Sequence, residues 1–380
     1  MDHSPGSMLG NTPMPGMSGP MSGMPNGIGP GGMGSGMVGI NSGINAMNGT
    51  GSDIPFFGSD FMNDIEVDGL DTIRTHHCAG YGRSGGSKTS AAELESIFQA
   101  MEFNELLRPT RVLTGYIPDA EALTAVARLV EKLRKQNPEL IHMLDRDCMG
   151  DAGRLYVSAD VVPVYRSLLP LSTIITPNWF EVEMLTGISL TDLHSLRHAL
   201  TKLHKDFGVP NVAISSIPLT QWLSETLPYA IWPPSGSESE HLLCITSSVS
   251  NKNSPSDVHA QCVPLLPGYF SGVGDLFSSL VLAHYNPSLE SSLPEVHLPF
   301  RTSLSEAVSQ ALTKTHAVLC KTFEYSERLP EEERLVTDDE KDAVEPIRKL
   351  RLVQSIDIIR SDFGDATRRL EHWSGFWERL

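Results

Sequence analysis

The stretch Tyr269-Phe270-Ser271-Gly272-Val273-Gly274-Asp275-Leu276-Phe277 places a Gly-x-Gly-Asp turn at the mouth of an amphipathic helical pattern. Gly272 and Gly274 keep side chains off the backbone, so a ligand can approach first-turn amides that nothing inside a helix satisfies. The helix dipole adds positive potential at the same point, and the chemistry expected of such a turn is anion binding. Asp275 has two readings. A carboxylate at a helix start is ordinarily an N-cap. It can also be a general base that takes a proton from a hydroxyl while the neighbouring amides of Gly272, Val273 and Gly274 hold the phosphoryl group under attack.

A second segment bears on that choice. Ile174-Ile175-Thr176-Pro177-Asn178-Trp179-Phe180-Glu181 reads as a short apolar strand ending in Thr-Pro-Asn and running into a helix. Thr176 and Asn178 can cap that helix. Asn178 and Glu181 are three apart and meet on its first turn, where an amide and a carboxylate suit Mg²⁺ and a nucleotide phosphate; the same pair can equally be a capping-box variant.

The elements that must position these residues alternate. Ile65 to Ile73 reads as a strand, and Ser90-Ala91-Ala92-Glu93 as a capping box opening a helix with Leu94, Ile97, Phe98 and Met101 on one face. Arg111 to Leu113 reads as a strand. A helix beginning near Asp119 carries Leu123, Val126, Leu129, Val130 and Leu133 and stops at Asn137-Pro138. Leu140 to Leu144 is an apolar strand ending at Asp145, and beyond Thr176 come a helix from about Thr191 to Lys205, a strand Val212 to Ile214, a helix opened by Asp275 and a long helix from about Ser305 to Phe323. The pattern predicts an α/β protein with a mostly parallel, doubly wound sheet, helices on both faces and ligands at the carboxyl ends of its strands. Asp145, Thr176, Ser215 and the Gly272 turn all follow predicted strands.

Taken together and in this order, the two motifs resemble the ribokinase-like sugar and vitamin kinases. Thr114-Gly115-Tyr116, Asp145, Met149-Gly150-Asp151, Gly153-Arg154-Leu155-Tyr156-Val157 and Val161-Val162-Pro163-Val164-Tyr165 narrow the resemblance to pyridoxal kinase, in particular its fungal-type members, over roughly residues 65 to 325. The resemblance implies ATP-dependent phosphorylation of the 5′-hydroxymethyl group of pyridoxal, pyridoxine or pyridoxamine, with Asp275 as base. It implies ATP and phosphate contacts from Asn178, Ser215, Ser216 and the Gly272 turn. Asp145, Asp151, Thr176 and Glu181 match positions serving Mg²⁺ and a monovalent cation, K⁺ or Na⁺, and the family implies a homodimer.

Departures from the family pattern fall on the vitamin side. Cys78-Ala79-Gly80-Tyr81-Gly82 stands where His-Thr-Gly-Tyr is usual, so Tyr81 keeps its substrate-facing place while Ala79 replaces a substrate-binding threonine. The family's first strand, with the Gly-Tyr-x-Gly-Asn segment that lines the vitamin pocket, has no counterpart in this sequence. Asp145-Arg146-Asp147-Cys148-Met149 is one residue longer than the usual Asp-Pro-Val-Met, and Val273 stands where many members have Thr. The expectation is a chain that binds ATP and phosphorylates pyridoxal poorly or not at all. Two alternatives are a hydroxymethylpyrimidine-type kinase of the same fold and a kinase-dead relative acting as an interaction protein.

Composition sets the remaining bounds. Residues 1 to 50 hold 9 Met, 14 Gly and 6 Pro with Asp2 as their one charged residue, which reads as a disordered segment extending to about residue 64. The rest suits a kinase domain over 65 to 325, followed by a charged linker from Glu327 to Asp342 and a docked helix carrying Trp373, Phe376 and Trp377. The formal net charge of −17 disfavours nucleic acid as a partner. No apolar run is long enough to span a bilayer and no basic segment precedes an apolar one, so a cytoplasmic protein without a membrane partner is expected. Five cysteines without a Cys-x-x-Cys argue against a disulfide framework or zinc site. Two decoys are set aside: Gly80 to Thr89 lacks the Lys directly after its second spaced Gly that a P-loop needs, and His76-His77-Cys78 has no partner cluster.

Overall fold

The computed structural model describes residues 73–75, 86–117, 119–145, 150–151, 154–155, 159–233, 240–250, 254–288, 301–330, 347–361 and 366–378, all within a compact unit spanning Ile44–Leu380. The elements begin with β1 (Ile73–Thr75), β2 (Gly86–Lys88), α1 (Ala91–Phe103), β3 (Arg111–Thr114), α2 (Ala120–Gln136) and β4 (Ile141–Asp145). They continue through β5 (Gly150–Asp151), β6 (Arg154–Leu155), α3 (Val161–Leu168), β7 (Ile174–Thr176), α4 (Trp179–Thr186) and α5 (Leu193–Lys205). Next come β8 (Asn211–Pro218), α6 (Gln221–Thr226), β9 (His241–Ser248), β10 (Asp257–Pro264), β11 (Tyr269–Ser271), α7 (Val273–His284) and α8 (Ser303–Glu327). The chain closes with β12 (Ile347–Lys349), α9 (Ile356–Arg360) and β13 (Glu371–His372).

The starts of α1 and α2 are where the sequence placed them, because capping partners lie within three residues of each other. Ser90 and Glu93 close a capping box on α1, and Asp119 Oδ1 accepts the Ala122 amide at 2.8 Å to cap α2. The main sheet runs β13-β10-β9-β8-β7-β4-β3, with β3, β4, β7 and β8 parallel and β9, β10 and β13 added antiparallel. The sheet is therefore mixed, with the parallel half carrying the sequence motifs. Alternation along the buried strands explains the helices on both faces. Leu144, Ile175, Val212 and Ile214 belong to one core with Leu123, Tyr165 and Leu196, whereas Met143, Ile174 and Ala213 belong to another with Leu276, Phe277, Leu280 and Leu304. So α2, α3 and α5 cover one face, and α7 and α8 the other.

Three expectations need correction. The helix ascribed to Asp275 begins two residues earlier, at Val273, with Gly272 as its cap. The C-terminal aromatic segment is no helix: Glu371–His372 pairs with β10, and Trp373 and Phe376 are then buried by a turn that Gly375 closes at φ 74°. Strands β9 and β10, which periodicity did not mark, form a hairpin ladder from Asp257↔Ser248 to Pro264↔His241. Of the strand expected over Ile65 to Ile73, only Ile73 lies within the described residues, where β1 pairs antiparallel with β2. That pairing puts Lys88 in a strand, and the P-loop reading stays excluded.

Candidate active site

Four chain segments meet at the carboxyl ends of the parallel strands. Asp145 ends β4 and Thr176 ends β7, paired side by side in the ladder. Ser215 and Ser216 lie on β8 at the point where its pairing with β9 shifts between Ile214 and Ile217, an irregularity of the kind that re-aims side chains beside active sites. The Ser215 amide donates to the Pro177 carbonyl at 2.9 Å, which fastens this bulge to the Thr-Pro-Asn turn. Both serine hydroxyls are half-buried and hydrogen-bond no described residue, leaving them available to a ligand.

The fourth segment is the Gly272 turn. Gly272 adopts φ 87°, the left-handed region that a side chain disfavours, and this conformation swings β11 directly into α7. No side chain caps α7, so the amides of its first turn have no acceptor from a capping side chain. Asp275 sits in that turn, yet among the described residues its carboxylate makes no hydrogen bond and no ion pair. The capping reading of Asp275 is therefore wrong. The carboxylate is open to solvent on one side, while the protein around it withholds water from the rest and pushes its pKa up from the ordinary value. A carboxylate with a raised pKa, unengaged and open to a ligand, has the properties of a general base.

Thr176 links the turn to the strands. Its hydroxyl donates to Asp145 Oδ1 at 3.1 Å and lies 2.9 Å from Ser278 Oγ, and the three side chains are 3 %, 1 % and 1 % exposed. Ser278 escaped the sequence reading. The available signal was its spacing of three from Asp275, which puts both on adjacent turns of one helix face.

Asn178 and Glu181 are engaged with each other. Asn178 Oδ1 accepts the Glu181 amide at 2.9 Å and Glu181 Oε2 accepts the Asn178 amide at 3.0 Å, a reciprocal capping box buried beside the site. Asp151 lies in β5, paired with Arg154 of β6; its side chain, Ala79 and Tyr81 lie outside the described residues. Among the described residues no three His, Cys, Asp or Glu side chains converge into a metal cage. The donors present are oxygens of Asp145, Thr176, Asn178 and Glu181. That set fits a hard cation such as Mg²⁺ held through one or two carboxylates, with its other ligands from phosphate and water.

The sequence from residue 87 to 227 matches the family model described as phosphomethylpyrimidine kinase, a span that includes Asp145, Thr176, Asn178, Glu181, Ser215 and Ser216 but stops before the Gly272 turn. Longer likenesses carry the comparison across that turn. The pyridoxal kinase of Dictyostelium discoideum is 33% identical over 223 residues, covering 57% of this chain and 68% of its own length. This chain belongs to the pyridoxal kinase family. The pyridoxal kinase of Arabidopsis thaliana is 29% identical over 297 residues, covering 78% of this chain and 82% of its own. The solved pyridoxal kinase of Leishmania donovani, in complex with ADP and pyridoxamine, shares the fold with a TM-score of 0.61 at 23% identity, covering 83% of this chain and 92% of that one. Membership explains why the bulged serines, the Thr-Pro-Asn turn and the Gly272 turn meet at one sheet end.

Proposed function

We propose that this protein transfers the γ-phosphoryl group of ATP to the 5′-hydroxymethyl group of pyridoxal, pyridoxine or pyridoxamine. The observation that carries the reading is the unengaged Asp275 carboxylate, raised in pKa, on the first turn of a helix whose amides no side chain caps. The carboxylate takes the proton of the attacking hydroxyl. The amides of Gly272, Val273 and Gly274 hold the oxygens of the transferring group where negative charge gathers. Ser215 and Ser216 hydrogen-bond nucleotide phosphate from the β8 bulge, and Asn178 fixes the turn that faces it. Asp145, Asp151, Thr176 and Glu181 would hold Mg²⁺ with the nucleotide, and Thr176 a monovalent cation; bound there, the cations neutralise phosphate charge. The complexes of the Leishmania donovani pyridoxal kinase with ADP and pyridoxamine or pyridoxine support this choice of substrates. The reading also carries a cytoplasmic homodimer.

The purified chain, given ATP, Mg²⁺, K⁺ and each B6 vitamer in turn, should bind ATP and yield the vitamer 5′-phosphate only slowly, followed by chromatography with absorbance detection. Phosphorylation of hydroxymethylpyrimidine with none of the vitamers would overturn the reading in favour of the related kinase. ATP binding by calorimetry without turnover of any of them would overturn it in favour of a kinase-dead protein.

A further inference from the structure

The proposal concerns Ser278, and it rests on the reading of Asp275 as the base. Ser278 is buried on the inner face of α7, whose Leu276, Phe277, Leu280 and Val281 belong to the same core as Met143 and Ile174. A hydroxyl in such company costs stability unless it is hydrogen-bonded. Its partner is Thr176 Oγ1 at 2.9 Å, 102 residues away in sequence. Direction follows from proton counting. Thr176 has one hydroxyl proton and gives it to Asp145 Oδ1, so Ser278 must be the donor to Thr176. The result is a one-way chain, Ser278 to Thr176 to Asp145, ending on a carboxylate, and hydrogen bonds that end on a charge are the stronger ones.

The chain's place in the fold gives it a consequence. Apolar packing fixes how far α7 stands from the sheet, and a hydrogen bond adds a directional restraint on the rotation of the helix about its own axis. At the far end of α7, the Arg111 guanidinium donates to the Leu282 carbonyl and Asn211 Nδ2 to the Tyr285 hydroxyl at 3.2 Å. Ser278 is the anchor next to the base, three residues on from Asp275 and on the adjacent turn. A rotation of about 10° would move a carboxylate at the helix's outer radius of ~5–6 Å by about 1 Å. A shift of ~1 Å at the reacting centre can cost about 10²-fold in rate.

We propose that Ser278 is a positioning residue for phosphoryl transfer: by donating to Thr176, it fixes the rotation of α7 against β7 and β4 and so holds the Asp275 carboxylate at the acceptor hydroxyl. The hydroxyl touches neither substrate nor phosphate. It aligns the base, carried by the helix, with the strand ends that face the nucleotide.

Steady-state kinetics on four purified proteins test this: wild type, Ser278→Ala, Ser278→Thr and Asp275→Asn, together with the double variant. Ser278→Ala should lower kcat about 10- to 100-fold with KM for ATP and for pyridoxal within about twofold of wild type, a split that simple loss of folded protein does not mimic once active fraction is measured by ATP titration. Ser278→Thr keeps the donor and should retain most of kcat. In the Asp275→Asn background, Ser278→Ala should lower the residual rate no further, because a misplaced base matters only while there is a base. An unchanged kcat in Ser278→Ala overturns the proposal, as does an equal loss in both backgrounds or a Ser278→Thr protein as slow as the alanine variant. If Asp275→Asn itself keeps full activity, the base reading fails instead. A dead Asp275→Asn beside a wild-type Ser278→Ala defeats Ser278 alone.

Discussion

At the scale of single residues, the two halves of the reaction rest on different kinds of observation. Asp275 is exposed, unengaged by any described residue and raised in pKa by partial desolvation, so Asp275→Asn should remove roughly 10²–10⁴-fold of turnover or more while leaving ATP affinity largely intact, since the proposed phosphate contacts are backbone amides. Calorimetry with ATP beside a kinase assay checks both parts, and full turnover would return Asp275 to a spectator. Glu181 is harder to separate from its structural duty. Its Oε2 accepts the Asn178 amide, which a glutamine oxygen can also do, so Glu181→Gln should keep the capping box and raise the Mg²⁺ concentration needed for ATP binding. Superimposable Mg²⁺ titrations at fixed ATP would remove Glu181 from the metal's surroundings. On the vitamin side, the sequence resemblance puts Ala79 where a substrate-binding threonine is expected. A lost pocket hydroxyl is worth about 1–3 kcal/mol, or roughly 5- to 150-fold. Ala79→Thr should therefore lower KM for pyridoxal within that range and leave KM for ATP unchanged; equal KM values for pyridoxal would show that other residues complete the pocket.

At the scale of elements, the junction of β11 with α7 is the piece on which the chemistry turns. Gly272 holds φ 87°, and a Cβ built there would meet only Leu350 Cδ1, at 4.0 Å, so the obstacle to a side chain is backbone strain rather than a clash. Left-handed backbone costs a non-glycine residue about 1–2 kcal/mol. Gly272→Ala should lose about that much unfolding free energy in urea, and turnover should fall by more than the stability loss explains, because relief of the strain re-aims the first-turn amides. An alanine variant with wild-type turnover would mean that the turn's conformation is not needed. The sequence marked this junction through its glycines, and it marked the starts of α1, α2 and α4 through Ser90, Asp119 and Asn178. It did not mark β12, which pairs in parallel with β11 from Tyr269↔Ile347 to Ser271↔Lys349 and so braces the Gly272 turn from the C-terminal segment. A three-residue strand whose partner lies far along the chain has no periodicity to read.

At the scale of the whole molecule, the buried sheet makes stability sensitive to acid. His142 is fully buried on β4, its Nδ1–H directed at the Leu171 carbonyl at 3.2 Å while Nε2 accepts from the Thr114 hydroxyl at 3.0 Å, the arrangement of a neutral ring. Burial lowers its pKa from 6.5 to about 4, with the Leu171 bond opposing and the Arg134 charge assisting. The unfolded chain therefore takes up the proton first. This contribution is fully present above about pH 6.5 and is lost as pH falls toward 4, amounting to roughly 3 kcal/mol across the window. Urea unfolding at pH 7 and pH 4.5 should show the loss, and a His142→Asn protein should show a shallower one. Parallel losses in the two proteins would place the acid sensitivity elsewhere.

Sequence by itself determined the parts of this protein whose partners are near in the chain. The Gly-x-Gly-Asp turn, the Thr-Pro-Asn turn and the helix caps join residues within a few positions of one another, so residue type and spacing suffice to specify them. That Asp275 does not cap its helix could not be read this way, because the answer lay in the lack of a hydrogen bond to its carboxylate among the described residues. The bulge that presents Ser215 and Ser216, the bond from Ser278 to Thr176 and the pairings of β12 with β11 and β13 with β10 depend on register and packing between segments tens to hundreds of residues apart. Such contacts form only once burial of two apolar faces has fixed every strand's neighbour, and that is a property of the folded chain as a whole.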